Sequence, residues 1–158
     1  MMLNNRLPLS IYYWSSIFLA MTLSVVYVPD IVKIMMPDWV LVVLIYWTCT
    51  VNFRVSVGKA WLVGLLMDAL TGQLLGQYAI AYAVSIYLTE KQYKRIKAAP
   101  VVQQSLFIAG ILFLAKVLFF WVERIEYQSL PGYFWLPVFT GALVWPVIIV
   151  LFSKIRFS

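Results

Sequence analysis

No histidine occurs among the 158 residues, and there is one cysteine, Cys49. The missing imidazole removes histidine-based acid, base and metal chemistry, and a lone thiol excludes both an internal disulfide and a multi-cysteine metal site. Charge is scarce as well: Asp, Glu, Lys and Arg make up 11% of the chain, and only six residues are acidic. No polar stretch approaches the roughly 50 residues that a water-soluble domain requires. What remains is apolar. Hydrophobic residues account for 64% and the mean hydropathy is +0.91, against about 45 to 50% apolar residues in an ordinary soluble domain. Residues 1–158 therefore read as a single integral membrane domain, all-α, a polytopic bundle.

A membrane-spanning helix needs about 20 mostly apolar residues, with tolerance down to about 17. Six candidate spans appear, at about 9–28, 37–51, 56–70, 74–89, 101–122 and 133–152. The first continues for some twenty residues without a small-x-small cleavage site, so it is read as a retained anchor and not as a signal peptide. The second, third and fourth are short and closely linked. One of these three is expected to be tilted, broken or held inside the bundle.

Lys and Arg beside the spans set the orientation, because cytoplasmic loops carry the excess. Arg6, Arg54, Lys59, Lys91, Lys94, Arg95, Lys97, Lys154 and Arg156 fall on one side, whereas Lys33 and Arg124 fall on the other with Asp30, Asp38, Glu123 and Glu126. Both termini are thus expected in the cytoplasm, which requires an even number of spans. The net charge of +6 then reflects topology, and a nucleic-acid partner is not expected, since no stacking platform or long basic face accompanies it. The densest basic run, EKQYKRIK at 90–97, reads as a positive-inside anchor or as a dock for an acidic partner or anionic headgroups. Trp14, Trp39, Trp61, Trp121 and Trp135 lie toward span ends, where indoles favour the interface, and carry no assigned binding role.

One stretch stands apart. GLLMDALTGQLLG at 64–76 sets Asp68 well inside the third span, where a charge costs about 2.5 to 3.5 kcal/mol on insertion scales and must face protein or water. Lys116 in the fifth span is the candidate intramembrane partner, unless it snorkels to the membrane face along its own stem. Gly64, Asp68, Gly72 and Gly76 follow i, i+4 steps, so on a continuous helix they form one flat stripe that admits another backbone. Alternatively, Thr71-Gly72-Gln73 caps the helix and Gly72 and Gly76 shape a tight turn. Asp68 would then sit in a last helical turn, where the dipole disfavours a carboxylate and a specific partner is needed.

PDWVLVVLIYW at 37–47 and VSVGKAWLVGLLMDALTGQLLGQYAIAY at 55–82 resemble the MreD family of bacterial rod shape-determining membrane proteins. Pro37, Asp38 and Trp39 are similar to the opening of that family's second span, Gly58 and Gly64 to its third, and Asp68, Gly72 and Gly76 to its G-x-x-x-D-x-x-x-G signature. Phe134-Trp135 and Trp145-Pro146 extend the resemblance over nearly the whole chain. It implies a non-enzymatic subunit of the cell-elongation machinery in the cytoplasmic (inner) membrane. Expected partners are the single-span scaffold MreC and, in one complex, MreB, RodA and a class B penicillin-binding transpeptidase that build lateral peptidoglycan. The family's fold is also similar to the substrate-binding subunits of energy-coupling-factor transporters.

Three functions compete on the residues. An adaptor that binds partners through helix faces needs a small-residue stripe and short loops, and Gly64, Asp68, Gly72, Gly76, Asp38, Trp39 and Lys116 are its candidate packing or partner-binding residues. A solute-binding transport subunit needs polar and aromatic groups about a cavity, for which Asp68, Gln73, Gln77, Tyr78 and Tyr82 are available. An intramembrane enzyme needs two neighbouring carboxylates, and Asp68 is the one acid deep in a span. The adaptor fits best, with no cofactor, and the outer-side charges Asp30, Lys33, Asp38, Glu123, Arg124 and Glu126 either meet a partner's juxtamembrane segment or merely solvate span ends.

Overall fold

The computed structural model describes residues 9–50, 55–72, 74–126 and 132–157. Among them the secondary structure is helical, because a chain this apolar satisfies its backbone only within each segment. The elements are α1 (Leu9–Val25), α2 (Asp30–Met35), α3 (Trp39–Thr50), α4 (Val57–Thr71), α5 (Gln77–Ala98), α6 (Val101–Glu126), a 3₁₀ turn (Gly132–Trp135) and α7 (Leu136–Phe157). Proline and glycine set the breaks. Pro29 precedes α2, Pro37 precedes α3, Gly72 and Gly76 separate α4 from α5, and Pro100 separates α5 from α6.

Each expected span contains a helix, with three differences. The second expected span is preceded by the short helix α2, and the segment Asp30–Cys49 that includes both α2 and α3 is long and apolar enough to cross a membrane. Val101–Val122 and Gly132–Lys154 meet the same criterion, whereas α1 and α4, at 17 and 15 residues, are shorter. Helix α5 runs nine residues past the expected end at 89. EKQYKRIKA is rich in straight-chain residues that lose little freedom in a helix, and the chain stops only before Pro100.

Helix α3 occupies the centre. From Val40 to Cys49 every residue is buried, and α1, α5 and α7 pack around it. A helix apolar on all sides belongs inside a bundle, so the second expected span is the internal one among the three short spans. Helix α4 lies against α5, and α6 bridges α5 and α7. The outer surface carries Phe18, Leu62, Leu66, Leu75, Val102, Leu106 and Leu143, a distribution suited to hydrocarbon and not to water.

Polar groups inside are tied down locally. The hydroxyls of Thr48, Ser85 and Thr89 donate to carbonyls four residues back at 2.8, 2.7 and 2.8 Å, which lets them sit in an apolar bundle. Between helices, the Trp47 indole donates to Ser16 Oγ at 2.9 Å, and the Trp145 indole to Gln104 Oε1 at 3.3 Å. Pro146 lies within α7 and removes one backbone donor there. Of the tryptophans expected at interfaces, Trp14, Trp61 and Trp121 are exposed. Trp39 packs on the core, and Trp135 stacks on Phe113 and Phe120 with centroids 5.1 and 6.0 Å apart.

Candidate functional site

The last turn of α4, the start of α5 and the start of α3 form a polar seam. Helix α4 ends at Gly72, whose φ of 67° is left-handed and whose N–H donates to the Asp68 carbonyl at 3.1 Å. Helix α5 begins after Gly76, with φ of 103°, a residue that has no side chain to cap the helix. Both conformations favour glycine. At either position a Cβ would meet nothing within 4 Å, so these two glycines serve the turn and not a contact. The reading of Gly64, Asp68, Gly72 and Gly76 as one continuous stripe is therefore corrected: helix stops at Thr71, and of the four only Gly64 and Asp68 share a face of α4. The capped-turn alternative holds at Gly72, while Gln73 lies outside the described residues.

Asp68 supplies the missing cap from eight to eleven residues away. Its Oδ2 accepts from the Gly76 N–H at 2.8 Å and the Ala79 N–H at 3.4 Å, and Oδ1 accepts from the Tyr78 N–H at 2.9 Å. The Gln77 N–H goes to the Leu74 carbonyl at 3.1 Å and the Ile80 N–H to Gly76 at 2.9 Å. Every backbone donor from Gly76 to Ile80 is thereby paired, which a buried helix start requires. The carboxylate is 1% exposed, yet it faces the positive end of the α5 dipole, which offsets its place at the negative end of α4.

Gly64 makes this possible. A Cβ there would overlap the Ala79 Cα, and would lie 2.6 Å from Ala79 N and 2.7 Å from the Tyr78 carbonyl carbon. These are backbone atoms, so α4 and α5 would have to separate. Gly64 and Asp68 thus hold the same turn of α5, and the face they share points into the protein's own bundle.

Asp38 caps α3 in the ordinary way, its Oδ1 accepting from the Leu41 N–H at 3.2 Å. It has a second tie. The buried Tyr82 hydroxyl, from α5, lies 2.8 Å from Oδ1 and 3.1 Å from Oδ2, donating to the carboxylate. Sequence reasoning placed Asp38 both among the span-end charges and among the packing or partner-binding candidates, and offered Tyr82 only to a solute cavity. The signal that was available is the i, i+4 pair Tyr78 and Tyr82, whose rings meet edge to face at 5.6 Å. Trp39, beside Asp38, keeps its buried indole Nε1 without a hydrogen-bond acceptor among the described residues.

The described hydrogen bonds of Asp68 come from backbone amides, and the described contacts of Lys116 are with aromatic rings. Its Nζ lies 4.7 Å from the Phe134 ring centroid and 5.7 Å from that of Phe119, within cation–π range. With Asp38, Leu41 and Val138 it lines a recess of about 10 Å³, room for about one water molecule. The intramembrane cation therefore lines the same recess as the acid of α3. Of the outer-side charges, Asp30 and Lys33 belong to α2, and the side chains of Glu123, Arg124 and Glu126 lie outside the described residues. No group of three His, Cys, Asp or Glu side chains able to hold a metal occurs among the described residues.

An apolar exterior around a seam of carboxylates bound to helix ends defines a helical membrane protein whose polar groups set its internal packing. The chain belongs to the MreD family, since the family of the rod shape-determining protein MreD matches residues 6–155. It is similar to the rod shape-determining protein MreD of Haemophilus influenzae, 30% identical over 130 residues that cover 78% of this chain and 77% of that protein. Its role is in rod shape. No solved structure matches it.

Proposed function

We propose that the protein is a non-enzymatic adaptor of the cell-elongation machinery, binding the MreC scaffold and helping lateral peptidoglycan synthesis maintain rod shape. MreB, RodA and a class B penicillin-binding transpeptidase are the other expected members of that complex. The distribution of Lys and Arg supports both termini in the cytoplasm and hence an even number of spans, the apolar runs support six, and the cytoplasmic membrane is what the family implies. The observation that carries the reading is the saturation of Asp68 by three backbone amides. A carboxylate spent on capping α5 does not serve turnover, and what it fixes is the arrangement of helix surfaces that a partner meets. Members of this family being shape-determining proteins supports the same assignment.

The rival, a solute-binding transport subunit, needs a pocket of about 300 Å³ or more. The described recess beside Asp38, at about 10 Å³, is too small for a solute there, and the Tyr82 hydroxyl, one of the groups available to such a cavity, is bound to Asp38. Affinity purification of the full chain, co-expressed with MreC, tests the adaptor. Retention of MreC through detergent exchange is expected, with loss on Asp68→Leu. Absence of MreC from the wild-type preparation would overturn the proposal.

A further inference from the structure

The part of α5 beyond the expected span has no role in the seam. Ser85, Ile86, Thr89 and Ile96 keep its inner side buried, whereas Lys91, Lys94, Arg95 and Lys97 are exposed. At about 100° per residue, Ile80, Tyr87, Lys91, Lys94 and Arg95 fall within an arc of about 100°. Thr89 and Ile96 lie roughly opposite. One outer meridian of the helix therefore changes character along its length. It is aliphatic at Ile80 (55% exposed), aromatic at Tyr87 (47% exposed), then basic from Lys91 to Arg95. The axial steps are about 10 Å from Ile80 to Tyr87 and about 6 Å from Tyr87 to Lys91.

That order matches a bilayer leaflet met from the middle outward: hydrocarbon, then the interface that tyrosine favours, then headgroups. Lys91 Nζ lies over the Tyr87 ring at 4.7 Å from its centroid, which ties the first cation of the run to the aromatic position. Along 90–97 four cations stand against one carboxylate, Glu90. A positive-inside anchor requires charge but no particular face. Here three of the four cations continue the outward, lipid-facing line of the helix. We propose that Lys91, Lys94 and Arg95 form a binding surface for the headgroups of anionic phospholipids. The proposal rests on α5 being a span.

The full chain reconstituted in bilayers of mixed phosphatidylglycerol and phosphatidylcholine, each spin-labelled in turn, reports which lipid is held at the protein surface. A preference for phosphatidylglycerol of about fivefold or more is expected, weakened by high salt, and near unity in Lys91→Gln/Lys94→Gln/Arg95→Gln. Lys91→Arg/Lys94→Arg should retain it. Equal retention of both lipids by the wild type, or an unchanged preference in the triple variant, overturns the proposal, including the case in which the stripe serves an acidic protein instead. A nitroxide at Tyr87→Cys separates this from failure of the span reading. Interfacial depth upholds the span, and a bulk-water position overturns both.

Discussion

The Oδ1 of Asp68 accepts the backbone N–H of Tyr78 at 2.9 Å, joining the last turn of α4 to the first turn of α5. A carboxylate that sits at the wrong end of its own helix is at the right end of the next one. Removing it leaves the part-buried donors of Gly76 and Tyr78 and the buried donor of Ala79 unpaired, so Asp68→Ala should destabilise the fold by about 3 kcal/mol. Asp68→Asn keeps the shape and one acceptor oxygen and should cost about half as much. Denaturation in mixed micelles, followed by helical circular dichroism, measures both. Rod growth should suffer in the same order.

The glycines separate into kinds that substitution distinguishes. Gly64→Ala places a Cβ against the backbone of Ala79 and should cost several kcal/mol, on the order of the largest single-site effects. Gly72→Ala meets no atom but strains a positive φ, at about 1 to 2 kcal/mol. Gly110→Ala has open space at its Cβ and lies within α6, and should stabilise by about 0.5 to 1 kcal/mol through helix propensity. The three unfolding midpoints, compared in one detergent, check the order.

Tyr82→Phe removes one hydroxyl and leaves Asp38 with the cap of α3 alone. The expected loss is about 1.5 to 3 kcal/mol, the range for a hydrogen bond to a charged group. In a double-mutant cycle with Asp38→Asn the two effects should fall well short of additive, with a coupling of about 1 kcal/mol or more.

Lys116 shares its recess with Asp38 and has its aromatic contacts with Phe119 and Phe134. Lys116→Met should therefore couple to Asp38→Asn and leave the effect of Asp68→Asn unchanged to within about 0.5 kcal/mol. The unfolding free energies of the two double variants decide this.

The membrane character, the six helical stretches and the special place of Asp68 were legible because each follows from local composition. A run of twenty apolar residues, or a carboxylate within one, announces itself without tertiary information. Boundaries were legible where Pro or Gly set them, as at Pro37, Gly72 and Pro100. Partners were not. Asp68 is bound by backbone amides of residues 76 to 79, and a backbone donor leaves no mark on residue identity. The spacing 64, 68, 72, 76 was equally compatible with one stripe and with a stripe ending in a turn, and only the left-handed φ at Gly72 separates these. Tyr82 could be linked to Asp38 only once α5 was known to pack on α3, a contact across 44 positions. Lys116 was offered to Asp68 or to the membrane face, because Asp38, at a span opening, looked like a surface charge.

The central claim is that the Gly64 and Asp68 face of α4 points into the protein's own bundle and leaves the opposite face to lipid or a partner. Met67 is 2% exposed and its neighbour Leu66 is 53% exposed, so a diazirine amino acid placed at one position and then the other, in cells, tests it directly. From 67 the adducts should fall within the same chain, and from 66 they should be lipid or partner protein. Partner adducts from 67 as strong as those from 66 would contradict the account.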